Sequence, residues 1–142
     1  MSGYLLSDGI AIGDFSRIDT TSNTGTISSG TAFNCVGGVP LAAGVYIFSL
    51  HVQNSKTNAA GSISQLQLGI STSSTTFSGG FAWVVKGYSP YTSGGGETII
   101  GMLTYTFRVP SSATYYFLQQ MSYSGFTPSN TTSTWIQFTR IG

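Results

Sequence analysis

The sequence predicts an all-β, antiparallel sandwich built as a single domain, and three observations carry that prediction. Apolar residues from position 31 onward recur with a period of two, the repeat of a strand with one face buried. Gly, Ser and Thr interrupt every window in which an amphipathic helix could be drawn. Turn signals separate the apolar runs at short intervals, with no strand–helix–strand spacing. A chain of 142 residues suits one domain, and folding would bury roughly two-thirds of the surface that the unfolded form exposes.

Residues 1–30 are the least patterned, and 20–30 are nearly all Thr, Ser, Asn and Gly. They read either as a flexible tail or as an arm that docks on a neighbour. The sandwich proper is assigned to residues 31–142, beginning with a short strand over 31–36. Pro40 and Gly44 punctuate a turn over 39–44. Residues 45–52 form the strongest strand, with Tyr46, Phe48, Leu50 and Val52 on one face and Val45 and Ile47 on the other. Apolar side chains on both faces imply that both faces are covered. In a two-layer sandwich the partner sheet covers only one, so a second chain or an arm is expected on the other.

After a polar turn over 53–61, residues 63–70 alternate: Leu66, Leu68 and Ile70 inward, Gln65 and Gln67 outward. A Ser/Thr/Gly connection over 71–80 leads to a strand at 81–85. A long loop over 87–96 contains Pro90 and three successive glycines. Residues 98–109 alternate through Leu103, Tyr105, Phe107 and Val109, and 110–113 turn the chain. An aromatic-rich strand over 114–123, a loop over 125–133 and a closing strand over 134–141 complete it. Seven or eight strands in about 110 residues point to a jelly roll.

Charge narrows the function. Lys, Arg, Asp and Glu make up 6% of the chain, against roughly 25% in an ordinary soluble domain. With a net charge of +1 and no basic cluster, nothing here would neutralise a run of phosphates or dock on an anionic membrane. Neither nucleic acid nor membrane insertion is expected, since the apolar runs are far too short to cross a bilayer as a helix. The opening eight residues, MSGYLLSD, carry no basic segment and no long apolar run, so synthesis in a cytosol is the expectation. A surface of hydroxyls, amides and glycines, poor in the Lys and Arg that trypsin-like proteases need, suits life outside cells. A virion component, made in a host cytoplasm and exposed on the particle exterior, reconciles the two.

The chemical inventory points away from an enzyme and from any cofactor or metal. Cys35 is the single cysteine and His51 the single histidine, so no internal disulfide or Cys/His zinc site can form. Cys35 reads as a buried thiol, because a nucleophilic cysteine needs a base partner. His51 reads as a hydrogen-bonded interface or core residue. Asp14, Arg17 and Asp19 form the one charge cluster, in the least patterned segment, where capping or contact with a neighbour explains them better than acid–base chemistry. The spacing of Asp8, Asp14 and Asp19 matches no calcium loop. Gly94-Gly95-Gly96 is followed by no Lys-Ser/Thr and opens no helix, so it is no phosphate loop. Tyr88, Tyr91, Tyr123 and Phe126 are loop aromatics that could present a sugar-stacking surface.

The stretch Phe33-Asn34-Cys35, continuing at Val39-Pro40-Leu41-Ala42-Ala43-Gly44-Val45-Tyr46-Ile47-Phe48-Ser49-Leu50-His51-Val52, resembles the head domains of the complement C1q and tumour-necrosis-factor-like family. Ser122-Tyr123-Ser124-Gly125-Phe126 is similar to a motif near the end of those domains. The closing Trp135-Ile136-Gln137-Phe138-Thr139-Arg140-Ile141-Gly142 also looks like the last strand of small phage and virus surface proteins. The resemblance implies a ten-strand jelly roll that forms homotrimers, with aromatic residues along the threefold axis. It carries no ligand or calcium residues.

The expected role is therefore a virion structural protein: a minor capsid, decoration or cement protein, or the head of a fibre. It would act through homotrimer assembly and docking on other capsid or tail proteins. The expected subunit interface comprises Val45, Tyr46, Ile47, Phe48, Leu50, His51, Tyr115 and Phe117. The alternative is a module that binds a host-surface receptor or carbohydrate through Tyr88, Tyr91, Tyr123 and Phe126.

Overall fold

The computed structural model describes residues 13, 15–57, 60–77, 81–85 and 98–142, the strand at 81–85 by its backbone. Among these residues there is no helix. Ten strands run in chain order: β1 (Phe15–Asp19), β2 (Gly25–Thr26), β3 (Ala32–Leu41), β4 (Gly44–Lys56) and β5 (Ser62–Ser71) form the first half. They are followed by β6 (Phe81–Val85), β7 (Thr98–Val109), β8 (Ala113–Ser124), β9 (Pro128–Asn130) and β10 (Trp135–Arg140).

The strands make two antiparallel sheets. In the first, the long β4 pairs with β7 along one edge. Along its other edge β4 pairs with β10 at residues 46–51 and with β9 at residues 54–56. β1 lies outside β10, and β2 outside β9. The second sheet has the order β3-β8-β5-β6.

The core forms where alternating side chains of the two sheets meet. On β4, Tyr46, Phe48, Leu50 and Val52 are wholly buried, facing Leu66, Leu68 and Ile70 of β5 and Phe117 of β8 in one apolar cluster. Phe48 meets Phe117 edge to face, with ring centroids 5.5 Å apart, and Phe107 meets Tyr115 at 5.9 Å. Such aromatic pairs contribute about 0.5–1.5 kcal/mol beyond their buried area.

Several local expectations change. Residues 15–19 and 25–26, placed by sequence in an irregular arm, are strands whose backbone groups complete the first sheet. Residues 39–41 continue β3 instead of turning, and the turn is confined to Ala42 and Ala43. Pro40 lies in an edge strand, the position within a sheet where proline is tolerated. Register along β3 shifts between Asn34 and Gly38, and Gly37, at φ +94°, supplies the backbone conformation of that bulge. The expected loop over 125–133 contains β9. It opens at Gly125, φ +87°, where a Cβ would come within 2.4 Å of the Ala60 carbonyl oxygen, so no other residue fits without backbone movement.

Candidate functional site: the outward face of the first sheet

Because side chains alternate along a strand, the residues between those of the core point out of the sandwich. On β4 these are Val45, Ile47, Ser49, His51 and Gln53, and pairing places defined neighbours beside them. One row across the sheet reads Phe15, Thr139, Ile47 and Thr106; another reads Asp19, Trp135, His51 and Met102. Ile100 stands opposite Gln53. Ile141, just past β10, donates its N–H to the Val45 carbonyl at 2.7 Å.

Five large apolar side chains are exposed among the described residues: Phe15 (43%), Ile47 (40%), Ile100 (53%), Met102 (54%) and Ile141 (46%). All belong to the strands or strand end of this one sheet. Scattered surface hydrophobes are ordinary, but their concentration on one face is not.

At the centre lies a three-layer stack. The His51 imidazole is parallel to the Trp135 indole, with planes 9° apart and centroids separated by 5.2 Å. The Arg17 guanidinium carbon stands 4.6 Å from the centroid of the same indole. Asp19 fixes Arg17, accepting from Nε at 3.0 Å and from the terminal nitrogen at 2.8 Å. Both members of that ion pair are about half exposed, so its contribution to stability is small; its effect is to orient the guanidinium. His51 Nδ1 is buried and has no hydrogen-bond partner.

The sequence-predicted interface residues divide by parity. Val45, Ile47 and His51 lie on this outward face. Tyr46, Phe48, Leu50 and Phe117 are wholly buried between the sheets, and Tyr115 nearly so, which corrects their assignment to a subunit interface: the chain's own second sheet covers them. Phe15, Arg17, Ile100, Met102 and Trp135 were missed, although the adjacent apolar pairs Ile99-Ile100 and Met102-Leu103 signal a strand with apolar groups on both faces.

The predicted binding loops fare differently. The Tyr123 hydroxyl donates to the Ile27 carbonyl, and its ring stacks on Phe126 at 5.5 Å and 21°. Phe126 is 5% exposed. Both are thus engaged in packing one end of the sandwich. Tyr88 and Tyr91 lie outside the described residues, as do Asp8, Asp14 and the Gly94-Gly95-Gly96 run. Cys35 is fully buried, and burial pushes its thiol pKa far up, so it stays protonated. Among the described residues no group of three or more His, Cys, Asp or Glu could hold a metal ion.

No family model and no curated protein matches the chain. Among solved structures, it is similar to a chain from the crystal structure of the T13 IBDV viral particle. The identity is 10%, the TM-score 0.47, and the match covers 98% of this chain and 39% of that one.

Proposed function

We propose that this protein is a structural component of a virion, a jelly-roll subunit that associates with copies of itself through the outward face of its first sheet. The observation that carries the proposal is the gathering, on that face, of every large apolar side chain that is exposed among the described residues. Covering them removes apolar surface from water at roughly 25 cal/mol per Å². The Arg17–Trp135–His51 stack adds the residue types in which interface energy concentrates.

The strand orders β1-β10-β4-β7 and β3-β8-β5-β6 support the jelly-roll reading. Each sheet interleaves strands from both halves of the chain, as two nested Greek keys do. The C1q-like segment at Gly44-Val45-Tyr46 favours a trimer. A surface poor in Lys and Arg suits exposure on the particle exterior, where the subunit would serve as a minor capsid, decoration or fibre-head protein docked on other capsid or tail proteins.

The test is the mass of the protein in solution. Sedimentation of the unaltered chain at micromolar concentration should give a trimer, and the double variant Ile100→Glu, Met102→Glu should give a monomer with unchanged circular dichroism. A monomeric unaltered chain would overturn the assembly reading, and its absence from purified particles would overturn the virion reading.

A further inference from the structure

The opposite side of the molecule carries a concavity of about 410 Å³ on the outward face of the second sheet. It is wide open to solvent, so a ligand there would be held from one side. Its floor is a single cross-strand row, Ala32 of β3, Gln120 of β8 and Gln67 of β5. The small Ala32 leaves room beside the Gln120 amide. Thr31 forms one wall; Thr75, Thr76 and Phe77 form the other.

The second wall is set before any ligand arrives. The buried Ser71 hydroxyl donates to the Thr76 carbonyl at 2.6 Å and accepts from the Ser73 N–H at 3.1 Å. The Thr75 N–H and the Thr76 hydroxyl both turn to Ser73 Oγ, at 3.2 and 3.1 Å. These local bonds hold the loop in one shape, so little ordering entropy remains to oppose binding.

The floor, by contrast, has spare hydrogen-bonding capacity. The half-buried Gln120 amide bonds to no described residue, and Gln67 engages only its oxygen, accepting from Gln65 Nε2 at a long 3.4 Å. Among the described residues no ionisable side chain lines the pocket, so none of them offers a phosphate or a carboxylate a counter-charge. Amides and hydroxyls each donate and accept, which is the complement of a ligand bearing several neutral hydroxyls. Phe77 adds an aromatic side chain to the lining, the residue type on which the C–H side of a pyranose packs.

We infer that this pocket binds a neutral saccharide unit, with Gln67 and Gln120 as its hydrogen-bonding floor. The site lies on the sheet opposite the proposed assembly face, so it is testable in the monomeric Ile100→Glu, Met102→Glu variant as well as in the unaltered chain.

The experiment is a two-dimensional proton–nitrogen NMR titration that follows the side-chain amide signals of Gln67 and Gln120, assigned by their loss in Gln67→Ala and Gln120→Ala. The probes are glucose, galactose, mannose and N-acetylglucosamine, each to tens of millimolar, with N-acetylneuraminic acid and free adenine as charged and aromatic comparisons. At least one neutral sugar should shift both amide pairs saturably. Gln120→Ala should weaken that binding about five- to tenfold, as expected for the loss of one or two neutral hydrogen bonds, while the melting temperature stays unchanged. No shift with any neutral sugar overturns the inference. So does a response to the acid or the base alone, or binding that persists undiminished in the Gln67→Ala, Gln120→Ala double variant.

Discussion

The side-chain amides of Asn54 and Gln119 face each other across the two sheets and exchange two hydrogen bonds. Asn54 Nδ2 donates to Gln119 Oε1 at 2.8 Å, and Gln119 Nε2 donates to Asn54 Oδ1 at 3.0 Å. Gln119 Nε2 also reaches Asn130 Oδ1 at 3.0 Å, which in turn accepts from the Thr134 hydroxyl at 2.6 Å. The Asn130 amide donates to the Asn23 carbonyl at 2.6 Å. All four side chains in this network are buried, so the polar end of the core is closed by amides that satisfy one another.

Removing one member leaves its partners buried without bonds. Gln119→Leu should lower unfolding free energy by about 2–4 kcal/mol, because Asn54 loses both of its amide bonds and Asn130 one. In the double variant Asn54→Leu, Gln119→Leu the loss should be smaller than the sum of the two single losses, by about 1–3 kcal/mol. Urea denaturation of the four proteins measures this. Additive losses would show that the amide pair is not energetically coupled.

Neighbours on β4 should behave in opposite ways. Phe48→Ala removes a wholly buried ring at the junction of the sheets and should cost about 3–5 kcal/mol of stability. Ile47→Ala, one residue earlier on the outward face, should change the stability of the isolated subunit by no more than about 0.5 kcal/mol and weaken self-association. Denaturation of the monomeric variant background, paired with sedimentation of the full assembly, separates the two effects. Equal stability losses would mean that the face assignment along β4 is wrong.

Stability should fall at alkaline pH. Burial holds the Cys35 proton in the folded chain to a higher pH than in the unfolded chain. The folded state therefore binds more protons above the unfolded thiol pKa of about 8.5, and stability declines as pH rises past it, by at most about 1.4 kcal/mol per pH unit. The Tyr46 and Tyr115 phenols, also held up by burial, act in the same direction above about pH 10. Between pH 8.5 and 10, Cys35→Ala should flatten the dependence, and the native thiol should resist modification until the chain unfolds. Rapid labelling of the folded protein would contradict this account.

The strand class, the alternation along β4, β5 and β7, and the near absence of ionic chemistry can all be read from local sequence. Period two is a property of one strand and is legible without knowing its neighbours. The glycines and Ser/Thr runs that exclude helices are equally local. Features that depend on segments distant in sequence emerge only in the folded chain. β1, β2 and β9 are too short and too polar to announce themselves; they are strands because β10, β4 and each other offer unpaired backbone groups. Pro40 remains in a strand because β3 lies at a sheet edge. Alternation shows that Tyr46 and Ile47 point in opposite directions, but only the second sheet settles which of them is inside. The Arg17–Trp135–His51 stack and the Ala32–Gln120–Gln67 row each draw on three strands, so neither exists until antiparallel ladders fix register across the sheets. Hydrogen bonds between strands carry that information, and they join residues that the linear chain keeps far apart.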